Sequence, residues 1–80
     1  MAIDYSTLLT DEQKRSILEQ RLQQFAAEAW QHQINKQVAE ATGNTDGAAQ
    51  ADAALEILDA AIAVHQTELA ALRMGLNELP

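Results

Sequence analysis

The chain has 80 residues, a formal net charge of −7 and no cysteine. It is long enough for one small domain, which buries only about 60% of the surface exposed by its unfolded form. The absence of cysteine excludes a disulfide scaffold and thiolate zinc sites. The excess of acidic residues argues against direct binding to nucleic acid or to an anionic membrane.

The N-terminal residues 1–10 are predicted to form an extended arm. Its apolar residues lie outside any helical pattern and are Ile3, Tyr5, Leu8 and Leu9. Two interpretations stay open: the arm folds back over the open end of a hairpin, onto Leu76 and Leu79, or it docks onto a partner protein. The segment lacks the basic and apolar regions of a signal peptide, so we expect no secretion by that route.

A first long helix is predicted over residues 11–42, where no glycine or proline interrupts good helix formers. Thr10 and Gln13 have the spacing of a capping box, which marks its start. Gly43 suits the left-handed position that ends a helix.

Residues 43–47 contain the cluster of turn-forming residues and are predicted to connect the two helices. A second helix is expected over about 46–74, or 48–79 if it continues through Gly75. Thr45 or Asp46 is the predicted N-cap. The fold class is therefore all-α, an antiparallel two-helix hairpin forming one small domain.

The second helix carries a regular apolar seam with steps of four and three residues. This 3.5-residue period is typical of a coiled coil. The seam consists of Ala51, Leu55, Leu58, Ile62, His65, Leu69, Leu72, Leu76 and Leu79. Ala54 and Ala61 flank it at heptad position g, and Ile57 and Val64 widen the apolar surface at position c. Such a wide apolar surface predicts contact with more than one neighbour.

The first helix is less regular. Its early apolar residues are Leu18, Leu22, Phe25 and Ala29, and its later ones are Ala26, Trp30, Ile34 and Val38. Each step of four turns the apolar face by about 40°. Either the first helix winds around the second, or its second half meets another chain.

Folding at the glycines pairs Val38 with Ala51, Ile34 with Leu55, Trp30 with Leu58 and Leu18 with Leu72. A lone hairpin of this kind has little interior to offset its conformational entropy. We therefore expect protein partners, either copies of the chain in a homo-oligomer or a larger structural protein.

His65 lies on the seam and is predicted to face the region of residue 24. It is either a polar residue that sets helix register or part of a histidine ring at an oligomer axis. The register interpretation is favoured. His32, flanked by glutamines, is expected at a solvated or interface position.

No motif predicts an enzyme, and we expect no cofactor or bound metal. Asp52, Glu56 and Asp59 share one face of the second helix, but no Glu-x-x-His accompanies them. From Glu40 to Leu72 there are six acidic residues and no basic one. This acidic face indicates docking against a basic patch, a solubilising surface or mimicry of DNA.

The run Tyr5-Ser-Thr-Leu-Leu-Thr-Asp-Glu-Gln-Lys-Arg-Ser-Ile-Leu-Glu-Gln-Arg, followed by Gln24-Phe-Ala-Ala-Glu-Ala-Trp, resembles small helical proteins of tailed bacteriophages that infect actinobacteria. The Ala-, Gln- and Glu-rich segment 48–72 is similar to them too. The resemblance implies a phage product in a virion or in the host cytoplasm. It suits a minor capsid or tail component and implies no functional residues.

The leading hypothesis is a non-enzymatic accessory subunit of a larger assembly. Phe25 and Trp30 are its predicted anchors on the first helix, and the second-helix seam and the arm are its predicted contact surfaces. The alternative hypothesis is a small acidic inhibitor that blocks a host nucleic-acid enzyme.

Overall fold

The computed structural model describes residues 3–78, with side chains as far as Arg73. It contains a short 3₁₀ helix, Tyr5–Leu8, and two long helices, α1 (Asp11–Ala41) and α2 (Thr45–Glu78). The described range contains no strand. The two helices pack against each other along their length, which confirms the all-α two-helix hairpin.

The start of α1 is the predicted capping box. The Gln13 backbone N–H donates to the Thr10 hydroxyl at 3.1 Å, and the Gln13 side-chain oxygen accepts from the Thr10 N–H at 2.9 Å. These two bonds satisfy donors that the first turn of a helix leaves without intrahelical partners. Asp11 and Glu12 follow in the first turn, where the helix dipole favours negative charge.

The end of α1 is a Schellman motif centred on Gly43. Gly43 has φ +72°, a left-handed conformation that costs glycine least. Its N–H donates to the carbonyl of Glu40 at 3.2 Å, and the Asn44 N–H donates to the carbonyl of Ala39 at 2.7 Å. The Thr42 hydroxyl also donates to the carbonyl of Val38 at 2.9 Å. The carbonyls of Val38, Ala39 and Glu40 in the last turn of α1 are therefore paired.

The prediction that Thr45 or Asp46 caps the second helix is wrong. Asn44 is the N-cap, because its side-chain oxygen accepts from the Gly47 N–H at 2.9 Å and its carbonyl accepts from the Ala48 N–H at 3.1 Å. Asn44 thus ends one helix and starts the next. The connection shortens to residues 42–44, and Thr45 already lies in α2.

The other element boundaries differ modestly from the predictions. The arm is not fully extended, because Asp4 caps the 3₁₀ helix and accepts from the Ser6 N–H at 3.0 Å. α2 passes through Gly75, so the alternative in which that glycine ends the helix is wrong. The predicted contacts of the Leu76 side chain and of Leu79 lie outside the described residues.

Both helices turn a heptad-spaced face towards each other. On α2 the inward residues are Ala51, Leu55, Leu58, Ile62, His65, Leu69 and Leu72. On α1 they are Leu18, Leu22, Phe25, Ala29, His32, Lys36 and Ala39. The first half of α1 therefore meets α2 as predicted, whereas its second half presents polar and small residues to the interior.

The interior of this hairpin is small. Within residues 3–73, whose side chains the structure describes, the buried apolar residues are Ala39, Ala51 and Leu58, and two of these three are alanine. The chain measures 57 × 33 × 15 Å along its principal axes. Its smallest dimension corresponds to a single layer of helices, each about 10 Å wide, so the faces of that layer have no second layer against them.

Candidate interaction surface

The predicted register of the hairpin is supported by contacts between α1 and α2. The His65 and Phe25 rings meet in a T-shaped arrangement, with centroids 5.0 Å apart and planes at 71°. Near the turn, the Lys36 ammonium lies 2.7 Å from the Asp52 carboxylate. Both contacts pair residues whose numbers sum to 88–90, as the sequence-based pairing does. The structure thus places His65 where the sequence predicted it, opposite the region of residue 24.

The His65 ring uses both of its nitrogens within the chain. The Arg21 guanidinium donates from Nε to His65 Nε2 at 3.1 Å. Since arginine has no acceptor, Nε2 must accept. Nδ1 then carries the proton and donates to the carbonyl of Ala61 at 2.7 Å. This network favours a register-setting role for His65. Sequence reasoning missed Arg21 as its partner, although the predicted register places Arg21 close to the level of His65.

Arg21 completes a small polar and aromatic cluster between the helices. Its guanidinium carbon lies 5.5 Å from the Phe25 ring centroid, within the range of a cation–π contact. The predicted anchor Phe25 is half-buried here against α2. Phe25 therefore acts inside the hairpin, and the space around it is occupied by the chain's own side chains.

Large apolar side chains remain on the outside of both helices. Trp30 is 63% exposed, Ile57 is 73% exposed and Val64 is 60% exposed. Val38 and Ile34 are exposed as well. The drifting apolar residues of the second half of α1 therefore do not follow α2. The alternative in which the first helix winds around the second is therefore wrong, and contact of its second half with another chain stays a prediction.

The two flanks of α2 differ in charge. We call Asp52, Glu56 and Asp59 the acidic flank, and Gln50, Ala54, Ile57, Ala61 and Val64 the uncharged flank. Their heptad positions place them on opposite sides of the seam that faces α1. A groove beside the turn, lined by Asn35, Val38, Gly47 and Gln50, shows that the uncharged flank adjoins Val38 of α1.

The acidic flank is partly neutralised by α1. Lys36 binds Asp52 at 2.7 Å and lies 3.9 Å from the carboxylate of Glu40. The hydrogen bond to Asp52, followed by its charge, raises the pKa of Lys36 above its ordinary value. The Lys36 side chain therefore keeps its positive charge to a higher pH than an isolated lysine would. Counting charges along the sequence from Glu40 onward overlooked this basic residue, which comes from the preceding helix.

The arm lies beside the open end of the hairpin and is only loosely covered. Tyr5 and Leu9 line a shallow apolar groove together with Ile17, Leu18 and Leu72. Tyr5 remains 70% exposed and Leu8 69% exposed, and Ile3 is exposed too. The arm thus lies beside the end of the hairpin near Leu72, and its predicted contacts with Leu76 and Leu79 stay predictions.

The described part of the chain offers no evident centre for metal chemistry. Among the side chains that the structure describes, no group of three or more His, Asp or Glu is suited to a metal ion. Over the described residues, neither helix combines the length and the apolarity that crossing a membrane requires. The most distinctive feature of the surface is therefore its exposed apolar residues.

Comparison of the chain with protein families, with curated proteins and with solved structures found no match.

Proposed function

We propose that this chain is a non-enzymatic interaction protein, a small helical subunit that packs into a larger protein assembly. The observation that carries this proposal is the exposure of Trp30, Ile57 and Val64. All three lie on ordered helices, outside the face that the helices use for each other. Large apolar side chains held in this way are typical of protein–protein contact sites.

The small interior supports the same proposal. Three buried residues supply little hydrophobic stabilisation, whereas ordering each residue costs roughly 1.5 kcal/mol in conformational entropy. Burying the exposed apolar surface against a partner adds the missing stabilisation. On this view the assembly contributes to the folding of the subunit, as is common for chains of this size.

The setting of the proposed assembly is a phage capsid or tail, present in several copies. This part rests on the resemblance of the segment from Tyr5 to Trp30 to small helical phage proteins. The exposed arm suits such a role, because Tyr5 and Leu8 extend the apolar surface beyond the two helices.

The alternative is an acidic inhibitor that occupies the basic groove of a nucleic-acid enzyme. Glu56 and Asp59 are exposed on α2 and favour it. The pairing of Asp52 with Lys36 reduces the negative charge on this flank, so the interaction-subunit proposal has the stronger support.

The stability of the isolated chain tests the proposal. Urea unfolding followed by circular dichroism is measured over a series of protein concentrations. An interaction subunit is expected to show a midpoint that rises with concentration, or a free energy of unfolding of only a few kcal/mol. A concentration-independent monomer with at least about 5 kcal/mol of stability would overturn the proposal, because such a domain needs no partner.

Charge neutralisation separates the two candidate functions. The triple variant combines Asp52→Asn, Glu56→Gln and Asp59→Asn. It keeps the size of each side chain while removing the negative charges of the acidic flank. Association with protein partners through apolar surfaces is expected to survive this change. Loss of association in the triple variant, with retention in Trp30→Gln and Ile57→Gln, would favour the inhibitor.

A further inference from the structure

The uncharged flank of α2 is unusual for a protein with 12 acidic residues and a net charge of −7. Between Asp46 and Glu68 its heptad positions g and c carry no charged side chain. Ile57 and Val64 project from it at 73% and 60% exposure. They are one heptad apart and therefore point in the same direction.

Small residues accompany these two apolar side chains. Ala54 and Ala61 lie between them and the seam, and both are half-buried beside α1. Alanine at these positions lets another helix approach at the short end of the usual 8–10 Å interaxial range. The flank therefore has the composition of a helix-packing surface, with two apolar knobs and small residues around them.

We propose that the uncharged flank binds the same flank of a second copy of this chain. The two α2 helices lie antiparallel across a two-fold axis near Ala61, and together with both α1 helices they form a four-helix assembly. This inference rests on the proposed function and deepens it by naming the first partner and the surface that it occupies.

Charge is one reason why the occupant is a second copy. Two molecules that each carry a charge of −7 repel each other, so they associate most readily through a surface free of acidic groups. The uncharged flank meets this condition, whereas the acidic flank would bring Glu56 and Asp59 of two copies together. A basic partner, by contrast, would be drawn to the acidic flank.

Surface area is the second reason. The chain exposes 6339 Å², whereas a compact monomer of 8.7 kDa exposes about 4,700 Å². The excess is about 1,600 Å² per chain, which lies within the range that each subunit of an obligate homodimer buries. If a second copy covers this excess, the exposed surface of each chain falls to the value of a compact monomer.

The antiparallel arrangement follows from where the charges lie. In this orientation Ile57 of one copy lies opposite Val64 of the other, and Glu68 lies level with Ala53. A parallel pair would place each Glu68 opposite its counterpart, as well as each Asp46. Antiparallel helices also align their dipoles favourably.

Light scattering on wild type and two variants tests the surface. The wild type is expected to have twice the monomer mass at micromolar concentration. Ile57→Glu buries an unpaired charge in the contact and is expected to weaken dimerisation by about 100-fold or more. Ala63→Glu, which adds the same charge at an exposed position of α2 beside the acidic flank, is the matched control and is expected to leave the dimer unchanged.

Disulfide cross-linking tests the arrangement independently of whether Ile57→Glu folds. The chain has no cysteine, so each variant introduces a single thiol. Ala61→Cys lies next to the proposed axis and is expected to cross-link under mild oxidation. Ala54→Cys lies on the same flank, but about 20 Å separates the two copies along the helix axis, beyond the ~7 Å Cα separation that a disulfide spans.

Each result has a definite meaning. Cross-linking at both positions would overturn the antiparallel arrangement, and a dimer that cross-links at neither would place the contact elsewhere. A wild-type monomer of low stability would overturn this inference while leaving the proposed function standing, since a different partner would then be required. A monomer with at least about 5 kcal/mol of stability would overturn both.

Discussion

Asn44 is the residue on which the hairpin turn depends most. Its N–H closes the Schellman motif on Ala39, and its side chain caps α2 through Gly47. We expect Asn44→Ala to lower the free energy of unfolding by about 1 kcal/mol, while Asn44→Asp retains most of it. Urea unfolding measures both. Asn35→Ala, within α1, is the control, and an equal effect there would contradict the capping role.

Asp4 gives the arm a dependence on pH. Its carboxylate accepts from the hydroxyl of Ser6 and from the Ser6 N–H, and these bonds lower the pKa of Asp4 below its ordinary value of 3.8. The turn is therefore stabilised above pH 3.8, and this stabilisation is lost as the pH falls through the lower value of the folded state.

The Ser6 amide resonance reports this transition in an NMR titration. We expect its chemical shift to move towards the random-coil value below pH 3.8. Asp4→Asn cannot ionise and should abolish the titration of this resonance. If the shift follows pH equally in Asp4→Asn, another group controls the arm.

Sequence reasoning found the capping residues at both ends of α1. It missed Asn44, which both helps to end α1 and caps α2. Thr10 and Gln13 have the spacing of a capping box, and Gly43 is a glycine directly after the predicted end of the first helix. Asn44 was overlooked because the cluster of turn residues up to Gly47 suggested a longer loop. Glycine is tolerated in the first turn of α2, where it leaves room for the Asn44 side chain: a Cβ at Gly47 would lie 2.6 Å from it.

At the scale of the elements, Arg21 and His65 connect the middles of the two helices. The bond between them is 3.1 Å long and exposed to solvent. A double-mutant cycle of Arg21→Ala and His65→Ala is expected to give a coupling energy of about 0.5–1 kcal/mol. The same cycle with Arg15→Ala, which removes an exposed arginine of α1, should give none. Equal coupling in both cycles would mean that the effect is general electrostatics.

The heptad seam of α2 was predictable, whereas the inward face of the second half of α1 was not. Leu55, Leu58 and Ile62 repeat at the period that one helix face requires. Trp30 and Val38 are the conspicuous apolar residues of α1, yet they do not keep that period. His32 and Lys36 instead continue the spacing of the residues that face α2. In a straight pair of helices this spacing turns them towards α2 although they are polar.

At the scale of the whole molecule, the hairpin is a single layer of two helices with apolar residues on more than one side. Its inner seam sets the register, and the uncharged flank lies about a quarter turn away on α2. A single helix can serve both surfaces because heptad positions a and d face α1, whereas g and c lie on one flank of that seam. Ile57 and Leu58 are neighbours in the sequence, but they belong to different surfaces.

This pair of neighbours provides the last prediction. Leu58 is 8% exposed and Ile57 is 73% exposed. In dilute monomer, Leu58→Ala is expected to cost about 2–3 kcal/mol of unfolding free energy, and Ile57→Ala almost none, since alanine is also the better helix former. At concentrations where the chain dimerises, Ile57→Ala acquires a cost because it removes apolar area from the contact. Urea unfolding of both variants over a dilution series separates the two surfaces. A cost of Ile57→Ala that stays the same at every concentration would place Ile57 within the fold of one chain, and the uncharged flank would then have no role in association.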